Sequence, residues 1–138
     1  MKIFVPLIIL LMSTLFSGAQ DSWKICLNNK LVLSSSESNE VLNTKKINST
    51  EWLKNGDLEV IYTESSPSTW LHSLQFTDES GNPLLVKDSA MTAKISITSL
   101  QKLFKGKKQL KIYMIISPPN PLMMAPTRMK HLVTLELP

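Results

Sequence analysis

The stretch Gln109-Leu110-Lys111-Ile112-Tyr113-Met114-Ile115-Ile116 decides the fold class. Successive side chains of an extended strand point to opposite faces. Leu110, Ile112, Met114 and Ile116 therefore share one face, while Lys111 and Tyr113 take the other. Ile115 joins that second face and covers part of it. A strand apolar on one side and half-covered on the other belongs in the middle of a sheet, so the segment predicts the core of a small all-β domain.

Upstream lies a short helical pattern, Thr98 to Phe104, then Gly106. The same plan occurs earlier in the chain. Ile47-Asn48-Ser49-Thr50 leads through Trp52-Leu53 to Gly56 and the strand Leu58 to Thr63, which also carries a tyrosine, Tyr62. Asn48 is a short-side-chain cap of the kind that starts helices, and a glycine commonly stops them. In a two-sheet sandwich such a helical turn is a convenient crossing from one sheet to the other.

The remaining segments supply partners. Trp23 to Leu27 and Lys30 to Ser34 flank Asn28-Asn29, a pair that tolerates the positive φ of a tight hairpin turn. Leu31 and Leu33 are expected inward. Ser34 to Asn43 is polar and reads as a loop or an edge passage. Thr69 to Thr77 alternates with Trp70, His72, Leu74 and Phe76 on one face; Pro83 to Lys87 is a short edge strand; Met91 to Ile97 alternates again. Ser117 to Thr127 holds four prolines and two methionines and reads as a stiff loop. Met129 to Leu137 closes the chain, with Met129, His131, Val133 and Leu135 expected inward. Turn signals every ~8–12 residues indicate an antiparallel two-sheet sandwich, a Greek key of immunoglobulin-like or jelly-roll type, with two helical crossovers.

Residues 1–19 stand apart from this pattern. Lys2 precedes an apolar run from Ile3 to Met12, extended by Leu15-Phe16, and Ser17-Gly18-Ala19 provides small residues at a cleavage site. This is the pattern of a secretory signal peptide. The run falls short of the ~20 residues that a membrane span requires. The expectation is an exported protein, periplasmic or secreted, with one domain over residues 20–138 and no stable membrane span after cleavage. The net charge is +4 over the whole chain and one unit lower without Lys2, with the lysines scattered. No basic helix or aromatic-basic stripe points to nucleic acid. The single cysteine, Cys26, excludes an internal disulfide, so apolar burial must hold the domain together.

Residues able to carry chemistry are few. Cys26 sits inside a strand with no activating neighbour and reads as a small packed hydrophobe, with intermolecular pairing as the alternative. His72 and His131 fall on the apolar parity of their strands and read as core residues. H-E-x-x-H, C-x-x-C, G-x-S-x-G and calcium-loop patterns are absent. Nucleophile, base and acid cannot be named together, so no enzymatic activity is expected. Asn48-Ser49-Thr50 forms an N-glycosylation sequon, usable only in a source that secretes through an endoplasmic reticulum. Met123, Met124, Met129 and His131 make a soft donor set suited to Cu(I).

The opening Trp23-Lys24-Ile25-Cys26-Leu27-Asn28 and the closing Arg128-Met129-Lys130-His131-Leu132 resemble a group of small exported bacterial β-sandwich proteins of unknown function. The resemblance implies fold and export, and no activity. Two functional expectations follow from the residues. The first is a non-catalytic module binding another exported protein or a cell-surface component through Leu122, Met123 and Met124. The second is a periplasmic copper carrier using Met123, Met124, Met129 and His131.

Overall fold

Alternation in the sequence becomes nine strands and two short helices among the described residues. The structure is a computed structural model and describes residues 20–53 and 55–138. The expected export leader, residues 1–19, lies outside them. In chain order the elements are β1 Ser22–Leu27, β2 Lys30–Ser35, β3 Thr44–Lys46, α1 Ser49–Trp52, β4 Asp57–Thr63, β5 Leu71–Thr77, β6 Pro83–Lys87, β7 Thr92–Ser96, α2 Ile97–Leu103, β8 Gln109–Ser117 and β9 Arg128–Glu136. No described helix is long and apolar enough to cross a membrane.

Two sheets face each other, ordered β2-β1-β4-β7 and β3-β9-β8-β5-β6. Only β1-β2, β5-β6 and β8-β9 are hairpins within one sheet; every other connection passes between sheets. Placing β4 and β7 opposite β5, β8 and β9 gives the immunoglobulin-like of the two expected Greek keys. Both helices bridge the sheets: α1 carries the chain from β3 to β4, and α2 carries it from β7 to β8. The helices also touch, because the Gln101 side-chain amide donates to the Trp52 carbonyl. The echo is offset by two residues. Asn48 caps α1, whereas Ser96, the last residue of β7, caps α2 through the Ser99 amide.

The inner faces are those the alternation predicts: Ile25, Leu27, Leu58 and Val60 from one sheet meet Leu74, Phe76, Leu110, Ile112 and Met114 from the other. Each such side chain contributes roughly 1.5–3 kcal/mol by leaving water. The hairpin turn is also as expected, with Asn28 and Asn29 at φ 54° and 64°. Gly56 serves differently from a helix stop. Its φ is not positive; a Cβ there would run into Asn28 Oδ1, so the glycine admits the hairpin turn against the start of β4.

Three features depart from the sequence reading. First, the sandwich is not wholly antiparallel. Thr44–Lys46, which the alternation assigns to no element, pairs in parallel with Thr134–Glu136 at one edge. Second, a bulge skips Val32, with Ile25 opposite Leu33 and Cys26 opposite Leu31. Leu33 is buried as expected, but Leu31 turns outward and is 54% exposed. Third, and with most consequence, a bulge skips Leu132. Ile112 pairs with Val133 while Tyr113 pairs with His131.

An extra residue in one strand inverts the facing of everything beyond it. Val133 and Leu135 face inward as predicted. Lys130 and Arg128, opposite Met114 and Ile116, then also fall on the inner side, while Met129 and His131 fall outside. The bulge is bonded from the opposite sheet: the Trp23 indole Nε1–H donates to the Leu132 carbonyl at 2.9 Å, fully buried. Replacing Trp23 by Phe keeps most of the ring but orphans that carbonyl. The expected loss is about 1–3 kcal/mol beyond any packing change, read from the urea midpoint, with exposed Leu42→Ala nearly neutral as reference.

Candidate functional site

The inversion at Leu132 places two cations at the open mouth of the sandwich. In register, His72, Ile116 and Arg128 form one row across β5, β8 and β9, and Leu74, Met114 and Lys130 form the next. The opposite sheet brings Asp21, just before β1, and Tyr62 and Glu64 at the end of β4. The β4–β5 connection adds Ser65, Ser66, Ser68 and Trp70. A pocket opens among Asp21, Glu64, Ser66, Ser68, Trp70, His72, Ile116 and Arg128.

Asp21 is the anionic centre of one network. The Tyr62 hydroxyl donates to its Oδ2 at 2.6 Å, and the Ser65 amide and hydroxyl donate to Oδ1 at 3.0 and 3.1 Å. Lys130 Nζ donates to the Tyr62 oxygen at 3.1 Å and lies 3.8 Å from Asp21 Oδ2. The Lys130 ammonium also sits 5.8 and 5.6 Å from the ring centres of Trp23 and Tyr62, which stack on each other. Burial pushes the Asp21 carboxyl up, but the Tyr62 and Ser65 hydrogen bonds and the Lys130 charge outweigh it and hold the group below its usual range. Burial first, and the Asp21 hydrogen bond second, push the Tyr62 phenol well above its ordinary value.

The second network is Glu64 with His72, side chains only 9% and 7% exposed. His72 Nδ1 lies 2.9 Å from the Trp70 carbonyl, which can only accept, so Nδ1 carries a proton. Nε2 contacts the Glu64 carboxylate directly. The other Glu64 oxygen accepts from the Ser68 amide at 3.1 Å. Both imidazole nitrogens are therefore engaged, and no ring nitrogen of His72 is left to serve a neighbouring serine as base.

A groove lies beside this pocket on the outer side of the same end. Leu71, Ser117, Pro118, Pro119, Pro121 and Met123 line it. Pocket and groove are separated by single steps along three strands: Trp70 to Leu71, Ile116 to Ser117 and Thr127 to Arg128.

The expected partner-binding residues sit on this rim. Leu122 is 84% exposed, Met124 is fully exposed, and Met123 is half-exposed in the groove. The four soft donors are carried by two elements, the proline loop and β9. Met129 and His131 share the outer face of β9, but Met123 belongs to the proline groove and Met124 projects into solvent. His131 is buried as its parity suggests, but on the outer face of β9 and not between the sheets. It lies outside β9, edge-on to Tyr113, with Nε2 2.7 Å from the Thr134 hydroxyl and Nδ1 buried without a partner among the described residues. No group of three His, Cys, Asp or Glu among the described residues could hold a metal ion. Cys26 is a half-buried thiol opposite Leu31 and Glu59. Asn48 is exposed, its Oδ1 accepting from the Glu51 amide and the Thr50 hydroxyl.

The Asp21–Tyr62–Lys130 and Glu64–His72 networks were not foreseen. Lys130 was read outward, and Asp21 and Glu64 lie outside the strand patterns. The signal in the sequence is that the five ionisable residues of these networks, Asp21, Tyr62, Glu64, His72 and Lys130, all fall near strand ends. No protein-family model matches the chain, and no curated protein or solved structure matches it.

His131 makes acid stability measurable. Burial lowers its pKa, with Glu40 opposing and Lys111 adding to the effect. A depressed histidine binds its proton more readily in the unfolded chain, so stability falls as pH drops below about 6.5. His131→Gln removes that proton. The pH dependence of the urea midpoint between about pH 7 and pH 5 is expected to be shallower in the variant than in the wild type.

Proposed function

We propose that the chain is an exported, non-catalytic module that binds an extended apolar segment of another exported protein at the β8–β9 end of the sandwich. One observation carries the reading: Leu71 and Met123, 54% and 43% exposed, both line the proline-walled groove, and Leu122 and Met124, the chain neighbours of Met123, are exposed as well. Exposed apolar side chains gathered at one place mark interaction surfaces in a way that scattered ones do not. Proline supplies no backbone N–H, so the groove walls offer apolar contact with few donors. Methionine adapts its shape to what it meets, while four prolines restrict the loop and reduce the ordering cost of binding. The engagement of both His72 nitrogens and of His131 Nε2 supports a binding role over acid–base chemistry.

The test uses display-selected peptides, the wild-type protein serving as bait, with affinities read by calorimetry. The triple variant Leu122→Ser, Met123→Ser, Met124→Ser should keep its fold, since these side chains are exposed and each change costs within about 0.5 kcal/mol. Binding of the selected peptides is expected to weaken at least about tenfold, as for loss of central apolar contacts. Failure to enrich any peptide, or equal affinity for the variant, overturns the reading.

A further inference from the structure

The pocket beside the groove contains more charge than it uses. Each of its anions already has partners: Asp21 is held by Tyr62, Ser65 and Lys130, and Glu64 by His72 and the Ser68 amide. Arg128 differs. It is exposed and has no carboxylate within 4.0 Å among the described residues. Its guanidinium carbon lies 5.7 Å from the centre of the Trp70 ring, so an aromatic face holds it in place of an ion pair.

We propose that Arg128 is a carboxylate-recognition residue, and that the segment seated in the adjoining groove presents a carboxylate to it. The geometry is that of a prepared half-site. The Trp70 ring lies under the guanidinium carbon and takes up no N–H of it by an ion pair, and those N–H edges match the two oxygens of a carboxylate. The indole restricts the side chain before any ligand arrives, which lowers the ordering cost of the contact. Ser66 and Ser68 line the same pocket and supply hydroxyls that can donate to a carboxylate oxygen. Asp21 and Glu64 are turned to their own donors, Tyr62, Ser65 and Lys130 for the first and His72 and the Ser68 amide for the second. Thr127, on the groove, directly precedes Arg128, so a ligand with an apolar side chain next to an acidic group spans both.

The proposal rests on the binding reading of the groove, and the probes separate the two. N-acetylleucine carries an apolar side chain and a terminal carboxylate. N-acetylleucine amide carries the side chain alone, acetate the carboxylate alone, and N-acetylglutamylleucine amide a side-chain carboxylate. Each is titrated into the 15N-labelled protein at fixed ionic strength, following the Trp70 indole and the amides of Leu71, Ser117 and Thr127. N-acetylleucine or N-acetylglutamylleucine amide is expected to bind roughly tenfold or more tightly than the uncharged amide, as for a charge-assisted pair. The stronger of the two acids identifies a chain terminus or an acidic side chain as the source. Arg128→Gln should abolish that preference, and Arg128→Lys should restore only part of it, because lysine keeps the charge and loses the fork.

Equal affinity for acids and amide, or an unchanged preference in Arg128→Gln, overturns the carboxylate role. Acetate shifts at Trp70 that depend on Arg128, with no groove shifts from the uncharged amide, would uphold Arg128 and sink the groove. Groove shifts without any acid preference would do the reverse. Arg128 is exposed at the first position of β9, so both variants are expected to fold, and unchanged amide dispersion verifies it.

Discussion

One hydrogen bond sets the facing of half a strand. The Leu132 carbonyl leaves the β8–β9 ladder at a bulge and is bonded across the core by the Trp23 indole N–H. A buried carbonyl without a donor costs about 1–3 kcal/mol, so the bulge and the tryptophan are stable only together. Their distance in sequence is 109 residues, which ties the first strand of the chain to the last. Everything N-terminal to Leu132 on β9 takes its facing from that arrangement. Lys130 and Arg128 enter the mouth of the sandwich, and His131 and Met129 turn to the outer face.

The mouth closes electrostatically instead of with apolar side chains. Two sheets that end at the same level leave a gap where water reaches the core. Here Lys130 sets its ammonium over the stacked Trp23 and Tyr62 rings and beside Asp21. Glu64 and His72 seal the neighbouring position. Elsewhere the acidic residues do local structural work. Asp78 accepts from the Ser80 and Asn82 amides and pairs with Lys107, and Glu79 accepts from the Lys108 and Gln109 amides. In the same mouth Arg128 has an aromatic ring where Lys130 has an acid, and the carboxylate proposal grows from that difference.

The fold was legible because most strands obey a period of two over five or more residues. Leu58 to Tyr62, His72 to Phe76 and Leu110 to Met114 alternate without interruption, and their buried sets are those the pattern names. The Asn28-Asn29 turn was legible for an equally local reason, since both positions need positive φ. The bulges were not legible. Val32 lies between Leu31 and Leu33, and Leu132 is an apolar residue next to Val133, so nothing in the local pattern marks either as the extra one. Thr44–Lys46 was missed because three residues hold no periodicity, and their pairing depends on the far end of the chain. Trp70 looked like a strand residue on hydrophobicity, yet it ends the β4–β5 connection and supports Arg128.

Alone, the sequence determined the all-β class, two sheets joined by two helical turns, the apolar core and the exposed proline–methionine loop. Each of these depends on short-range periodicity, turn chemistry or composition, which neighbouring residues impose on one another. Tertiary structure alone decided which charged residues meet at the mouth. Their meeting depends on a bulge whose position is set by a hydrogen-bond donor on another sheet, and a shift of one residue there exchanges the two faces of the strand.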